Sequence, residues 1–189
     1  MEKLVSYPIS VIYYLCFGLT LVVFHPIQWI CLNVFGYQAH KKSVDYLNLF
    51  LVRCTNILGT TYSVKNKEVI PNNVPIIFVA NHQSLYDIVG IIWYLRRFHA
   101  KFVSKKELGK GIPSVSYNLR HGGSVLIDRK DPKQALPVIK GLGEYIEKNK
   151  RSAVIFPEGT RSKTGKPKEF AQSGLKILCK YAPNAYIVP

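Results

Sequence analysis

The chain has 189 residues, 48% of them hydrophobic, and its 26 Lys and Arg residues outnumber 11 Asp and Glu residues, giving a net charge of +15 at neutral pH. This apolar content excludes a disordered basic tail, and the counts of 13 Gly, 11 Pro and 4 Cys exclude collagen-like, low-complexity and disulfide-scaffold proteins. What remains is a folded protein with an anionic partner, either nucleic acid, anionic lipid or a phosphorylated substrate.

The amino-terminal segment is apolar and almost uncharged. No Lys, Arg, Asp or Glu occurs from Leu4 to His40, so residues 41–189 carry the whole net charge of +15. The apolar run Pro8–Phe24 is just long enough to cross a bilayer, whereas the following run Ile27–Tyr37 is too short to do so alone. A single membrane span and a helical hairpin bent at Pro26 both fit this pattern. A buried core helix pair and a cleaved signal peptide fit less well, so membrane association is favoured.

The cysteines show no metal-site or disulfide pattern. They lie at positions 16, 31, 54 and 179, form no CxxC pair and have no histidine at close spacing. This arrangement predicts neither a zinc site nor a disulfide framework, and it fits a reducing, cytosolic compartment.

Helical and strand patterns alternate after the apolar segment. In chain order the sequence predicts a helix over Val44–Leu58, strands over Thr60–Val64 and Pro75–Ala80, a helix over Leu85–Leu95 with Ser84 as its N-cap, strands over Lys101–Ser104 and Val125–Ile127, a helix from Asp131-Pro132 to about Asn149, a strand over Ala153–Phe156, a helix over Gly174–Tyr181 and a strand over Ala185–Val188. We therefore predict an α/β domain over 59–189, with a largely parallel or mixed sheet flanked by helices. It follows a membrane-associated apolar helical hairpin in region 1–58.

A histidine and an aspartate follow the strand at Pro75–Ala80. His82 lies in the loop and Asp87 lies five residues later, in the first turn of the next helix. A carboxylate that binds one ring N–H of the imidazole leaves the other nitrogen as a general base. Asp87 also has a purely structural explanation, because a negative charge stabilises a helix N-terminus.

Two arginines follow other predicted strands. The loop Phe156–Ser162 presents Arg161 on a glycine turn, an arrangement suited to binding phosphate, and Glu158 in this loop is able to hold it by accepting backbone N–H bonds. The segment Gly122–Arg129 places Arg129 at another strand end. The structural alternatives are a plain solvated turn for the first loop and a weak surface Asp–Arg pair for the second.

Together, these segments resemble the motifs of the glycerolipid acyltransferases that acylate lysophosphatidic acid. The resemblance rests on NHxSxxD, GGxxxIDR and FPEGTRS in this order and covers roughly residues 75–175. It implies that His82, oriented by Asp87, is the general base of the catalytic pair, and that a glycerol hydroxyl attacks an acyl thioester without a covalent acyl-enzyme. It also implies a substrate phosphate site made of Glu158, Gly159, Thr160 and Arg161. Arg129 is a second phosphate contact in this implied site, and Lys105 is a basic residue that assists.

The resemblance implies the substrates as well. Lysophosphatidic acid is the expected acceptor, acyl-CoA or acyl carrier protein is the expected donor, and neither a metal nor another cofactor is expected. One departure leaves the acceptor open to another lysophospholipid or polar lipid, because Phe170-Ala171-Gln172-Ser173-Gly174 lacks the basic residues that the family usually has there. A second departure is that the chain stops within the family's fourth motif, at Ile187-Val188-Pro189, so we expect a truncated sequence.

The basic body favours a lipid surface over nucleic acid. Residues 96–130 hold nine bases and two acids, but no recognisable nucleic-acid module accompanies them, and a neutral apolar segment has no use on nucleic acid. A non-catalytic protein that binds anionic lipid is the alternative from another class. We expect a membrane protein whose active domain lies on the cytoplasmic face, with its basic residues against anionic lipid.

Overall fold

Two long helices precede a five-stranded α/β unit in the computed structural model, which describes residues 2–162 and 164–189. The elements, in chain order, are α1 (Glu2–Phe35), α2 (Tyr37–Ile57), β1 (Ile76–Val79), α3 (Asp87–Tyr94), β2 (Ala100–Lys105), α4 (Val115–His121), β3 (Val125–Ile127), α5 (Pro132–Asn149), β4 (Ser152–Ile155), α6 (Ser173–Tyr181) and β5 (Tyr186–Val188). Short 3₁₀ turns lie at Lys67–Val69, Arg96–Phe98 and Lys106–Gly109.

The five strands form one sheet in the order β3-β2-β4-β1-β5, and every neighbouring pair is parallel. This confirms the predicted α/β class. Successive residues of a strand face opposite sides of the sheet, so Ile77 packs with the α5 and α6 side, including Leu142, while Ile76 packs with Phe102 on the other side. Because all strands run the same way, the loops that follow them meet at one edge.

The hairpin of α1 and α2 turns at Gly36 and not at Pro26. Helix α1 continues through Pro26, and Gly36, with a φ of +81°, takes the left-handed conformation that ends it. A proline inside a helix costs about 3 kcal/mol, and packing along α2 offsets this cost. The helices are antiparallel, since the rings of Phe24 and Phe50 are 5.6 Å apart and Thr20 Oγ1 lies 3.8 Å from the sulfur of Cys54. The predicted bend at Pro26 is therefore wrong.

The outward face of α1 is apolar. Its exposed side chains include those of Tyr14, Leu15 and Leu19. Among the described residues, Ser6–Phe35 is the one helical stretch that is long and apolar enough to cross a membrane by length and composition. Helix α2 packs on α1 and, through Leu51, against Val89 of α3.

Several predicted elements differ from the structure in bounds or in kind. The predicted strand Thr60–Val64 is an irregular segment, because Tyr62 covers Gly90 of α3, where an added Cβ would come within 2.7 Å of the Tyr62 ring. Helix α3 begins at Asp87 with Tyr86 as its N-cap, in place of the predicted Ser84. Helix α2 begins seven residues earlier than predicted. The short helix α4 was absent from the sequence prediction, since its mixed polar residues show no clear apolar period.

Candidate active site

Loops from adjacent strands meet at the carboxyl edge of the sheet. Strands β1 and β4 pair directly, and the pairing extends past β1, where Ala80 N donates to Ile155 O at 3.1 Å. The His82 loop and the Phe156–Ser162 loop therefore leave the sheet side by side. Ser162 N donates to His82 O at 2.9 Å, which joins the two loops through their backbones.

The structure brings His82 and Asp87 into direct contact. Nδ1 of His82 lies 3.0 Å from Oδ2 of Asp87, and His82 as a whole is only 9% exposed. With Nδ1 protonated toward the carboxylate, Nε2 is the nitrogen with a lone pair for a substrate proton. This is the arrangement that orients an imidazole as a general base.

Asp87 also organises the loop that carries His82. The same oxygen, Oδ2, accepts hydrogen bonds from Gln83 N at 2.9 Å and from Ser84 N at 2.8 Å. These backbone donors hold the carboxylate at the start of α3, so one oxygen contacts both the His82 ring and the backbone before the helix.

An aromatic ring fixes the plane of the His82 side chain. Phe156, at the end of β4, stacks on the imidazole with ring centroids 4.2 Å apart and an interplanar angle of 20°. Stacking and the Asp87 contact together restrict rotation of the imidazole, which is the preorganisation that a positioned base requires. The sequence motifs predict no role for Phe156. The signal was its place at the strand end directly before Pro157-Glu158.

Glu158 holds the two loops together. Its Oε1 accepts from His82 N at 2.6 Å and from Gln83 Nε2 at 3.1 Å, and its Oε2 accepts from Lys168 N at 2.8 Å. The two backbone hydrogen bonds hold the pKa of this carboxyl group below its ordinary value, against the opposite effect of burial. These contacts match the loop-holding role inferred for Glu158, and they turn its charge toward protein donors. Gln83 and Lys168 are site residues that sequence reasoning missed.

Replacing Glu158 with glutamine is expected to lower the melting temperature at pH 7, because the amide puts an N–H where one backbone donor needs an acceptor. The pKa of Glu158 is lowered in the folded state. The stability that its carboxylate contributes to the fold is therefore present above the ordinary pKa of Glu and is lost as pH falls through the folded-state pKa. The difference between the two proteins should therefore shrink below about pH 4. Thermal unfolding between pH 3 and 7 measures it, with exposed Glu169→Gln as the matched control. A pH-independent difference would contradict this role.

The predicted phosphate-binding residues lie at the same carboxyl edge of the sheet as His82 and Asp87. Gly159 has a φ of +69° and donates its N–H to Phe156 O at 2.9 Å, a turn that brings Thr160 and Arg161 out into solvent. Lys105 ends β2 and is exposed. Arg129 follows β3; partial burial lowers its pKa and nearby Glu107 raises it, and an arginine remains protonated in either case.

An apolar groove of about 240 Å³ opens between Arg129 and Gly159. Its walls are aliphatic side chains from the sheet and α5, among them Val103, Ile127, Ile139 and Ile155. Arg129 thus lies where a polar edge adjoins apolar space. Among the described residues, no group of three or more His, Cys, Asp or Glu side chains is arranged to hold a metal ion.

Comparison with known proteins shows the family of the chain. Residues 61–189 match the protein family described as Acyltransferase. The chain is 40% identical over 107 residues to the 1-acyl-sn-glycerol-3-phosphate acyltransferase of Helicobacter pylori. This alignment covers 55% of the chain and 43% of that protein. The enzyme of the same name from Cocos nucifera is 32% identical over 121 residues, with 64% and 38% coverage.

A solved structure has the same overall fold. The 1-acyl-sn-glycerophosphate acyltransferase PlsC from Thermotoga maritima superposes with a TM-score of 0.76 at 27% identity, covering 96% of this chain and 72% of that one. The likeness therefore includes the amino-terminal helices as well as the sheet. The matched part of the chain spans less than half the length of each of these two curated relatives.

Proposed function

The chain belongs to the acyltransferase family, and from that premise we propose that it transfers an acyl chain from a thioester to the free sn-2 hydroxyl of lysophosphatidic acid, giving phosphatidic acid. The names of its relatives support this acceptor. The observation that carries the mechanism is the contact between His82 Nδ1 and Asp87 Oδ2 at the carboxyl edge of the sheet.

The reaction needs a base but no covalent intermediate. His82 Nε2 takes the proton of the sn-2 hydroxyl while the hydroxyl oxygen bonds to the thioester carbonyl carbon. The C–S bond then breaks, and the proton passes from Nε2 to the departing sulfur, so the products are an ester and a free thiol. Asp87 keeps Nδ1 protonated and stabilises the imidazolium that forms between the two proton transfers.

The basic residues at the same edge have an anchoring role in this proposal. Arg161 and Arg129 are the phosphate contacts, Lys105 assists by charge, and the turn at Gly159 and Thr160 presents Arg161. Glu158 belongs to the site by holding the loop and not by touching phosphate, since its oxygens accept from protein donors. An arginine is suited to a phosphomonoester because its planar donors match two phosphate oxygens.

The donor in this proposal is acyl-CoA or acyl carrier protein. A thioester is already activated toward attack, so orientation, a base and phosphate binding are the contributions required of the chain, and neither a metal nor another cofactor enters the proposal. Both donors carry phosphate, which the net charge of +15 attracts.

The proposed location is the surface of a membrane, with the active domain on its cytoplasmic face. The exposed apolar side of α1 provides the lipid contact. Tyr13 and Phe17 of α1 pack against Tyr86, with ring centroids 5.9 and 6.3 Å away, and Tyr86 lies four residues after His82. The lipid-facing helix is therefore next to the catalytic loop, and anionic lipid is the proposed membrane partner of the basic body.

The proposed function is tested by thiol release from acyl-CoA by the full chain in mixed micelles. We expect thiol release to depend on lysophosphatidic acid and the lipid product to be phosphatidic acid, identified by mass spectrometry. Monoacylglycerol, which has the same hydroxyl but no phosphate, is the matched acceptor. Thiol release that is equal with and without an acceptor would contradict the proposal, and binding to anionic vesicles without thiol release would favour the non-catalytic alternative.

Replacing Arg161 with alanine is expected to lower kcat/KM for lysophosphatidic acid by about 10- to 100-fold, the value of one charge-assisted hydrogen bond. The rate with monoacylglycerol should stay unchanged, because that acceptor offers no phosphate. Arg161→Lys, which keeps the charge but loses the planar donors, should recover part of the loss. Equal losses with both acceptors would remove Arg161 from the phosphate site.

A different lysophospholipid or polar lipid is the second candidate acceptor. The segment 170–174, which lacks the expected basic residues, lies beside the loop Phe156–Ser162, because Ala171 N donates to Pro157 O at 2.9 Å. Ala171 also lines the groove next to Arg129. Its uncharged side chains therefore border the proposed headgroup site. A higher kcat/KM with another lysophospholipid than with lysophosphatidic acid, in the same assay, would favour this acceptor.

A further inference from the structure

A second cavity lies at the amino ends of the strands, opposite the edge that holds His82. It lies between the start of α2 and the start of β2. Its polar walls are formed by Tyr37, His40, His99, Lys101, Gly122 and Ser124. Its volume is about 30 Å³, which is room for one small ion or one to two water molecules.

Lys101 brings a buried cation to this cavity. The residue is 5% exposed, and its Nζ donates to the hydroxyl of Tyr37 at 2.7 Å and to the carbonyl of Gly122 at 2.6 Å. Both partners are neutral oxygens, and an ammonium group has a third N–H. Buried charges in proteins are normally paired with an opposite charge.

Two histidines add unsatisfied nitrogen atoms. His40 is fully buried, and among the described residues 2–162 and 164–189 neither its Nδ1 nor its Nε2 has a hydrogen-bond partner; the same holds for Nδ1 of His99. Burial, reinforced by the charge of Lys101, lowers the pKa of His40 to about 4, so its ring is neutral at pH 7 and offers one N–H. The third N–H of Lys101 and the single N–H of His40 are therefore donors available to an anion.

The surrounding charge is positive. Arg151 donates to the same Tyr37 hydroxyl at 3.2 Å, and Lys41 lines the cavity. The carboxylate of Asp45 lines the cavity as well, and its Oδ2 is paired with Lys41 Nζ. An anion entering the cavity would therefore meet an excess of cations.

A glycine pair lets the β3 loop approach Lys101. Gly123 has a φ of +87°, and a Cβ there would lie 3.1 Å from Tyr145 Oη and 3.4 Å from Lys101 Cε. A Cβ on Gly122 would lie 2.6 Å from the backbone oxygen of Asn118. The two glycines that open GGxxxIDR thus shape this cavity, while Arg129 at the other end of the motif faces the proposed phosphate site.

We propose that the cavity binds one small monovalent inorganic anion of about the size of chloride, with the Lys101 ammonium as its charged donor. Phosphate and headgroup phosphates are too large for the space available. The bound anion neutralises Lys101 and ties the start of α2 to β2, so the site stabilises the attachment of the helical hairpin to the α/β domain.

Bromide provides the direct test, because it replaces chloride and scatters anomalously. Crystals of the full chain grown in sodium bromide should show an anomalous peak within hydrogen-bond distance of Lys101 Nζ. Ordered water in the cavity without an anomalous peak would overturn the proposal, whatever the variants do.

Thermal unfolding provides the second test. At equal ionic strength, the full chain should melt about 2–4 °C higher in chloride than in gluconate. Lys101→Met, which keeps the length of the side chain but not its charge, should abolish this increment, whereas Lys176→Met, at an exposed position on α6, should keep it. The proposal is wrong if Lys101→Met retains the chloride increment. If that variant does not fold, the bromide crystals decide.

Discussion

Replacing His82 with alanine is expected to lower kcat for acyl transfer by about 10³- to 10⁴-fold, the upper part of the range for a lost general base. Nε2 of His82 is the proposed proton acceptor. The backbone of residue 82 keeps its bonds to Glu158 and Ser162 after the substitution, so the loop retains its path. The loss should therefore fall on the chemical step.

Thiol release from acyl-CoA with saturating lysophosphatidic acid measures this effect, and binding of the chain to lysophosphatidic acid vesicles should remain unchanged. His121→Ala is the matched control, because it removes an exposed imidazole at the end of α4, away from the carboxyl edge of the sheet. Near-normal turnover in His82→Ala would contradict the mechanism.

Replacing Asp87 with asparagine is expected to lower kcat by about 10²-fold, at the lower end of the general-base range. The backbone N–H groups of Gln83 and Ser84 both point at Oδ2, so the asparagine must place its amide oxygen there. The acceptor for His82 Nδ1 is then kept and the helix start stays intact. What disappears is the negative charge that stabilises the imidazolium in the transition state.

Steady-state kinetics separate this positioning role from a structural one. We expect kcat to fall while KM for lysophosphatidic acid and the melting temperature change little. Asp131→Asn is the control, because Asp131 caps α5 by accepting from Lys133 N and Gln134 N, and asparagine caps a helix equally well. A fall in melting temperature that accounts for the lost activity would reduce Asp87 to a structural residue.

The sheet was predictable because buried parallel strands leave a strong local signal. Short apolar runs bounded by Gly, Pro and Asn located β1 to β5 to within one or two residues. Asp131 followed by Pro132 likewise located the start of α5, since both the cap and the proline act within one turn. The match of residues 61–189 confirms the resemblance drawn from the three loops.

Elements that depend on tertiary contact were not predictable in this way. Thr60–Val64 has the β-branched and aromatic residues of a strand, yet Tyr62 packs on α3 and the segment joins no sheet. Helix α1 runs through Pro26 because α2 lies along it, a contact that no local pattern reports. Tertiary packing over many residues stabilises such a segment by more than the conformational preference of its individual residues.

The sequence by itself determined the chemical groups of the site, because their types and order are local: a histidine with an aspartate five residues later, and arginines after strands. Only the tertiary structure decided how they are used. Glu158 accepts the N–H of His82 across 76 residues of chain, Phe156 stacks on the His82 ring, and at the opposite edge of the sheet Lys101 of β2 and His40 of α2 line one cavity. The pairings of the two loops depend on parallel strands bringing distant loops to one edge, and spacing along the chain does not encode them.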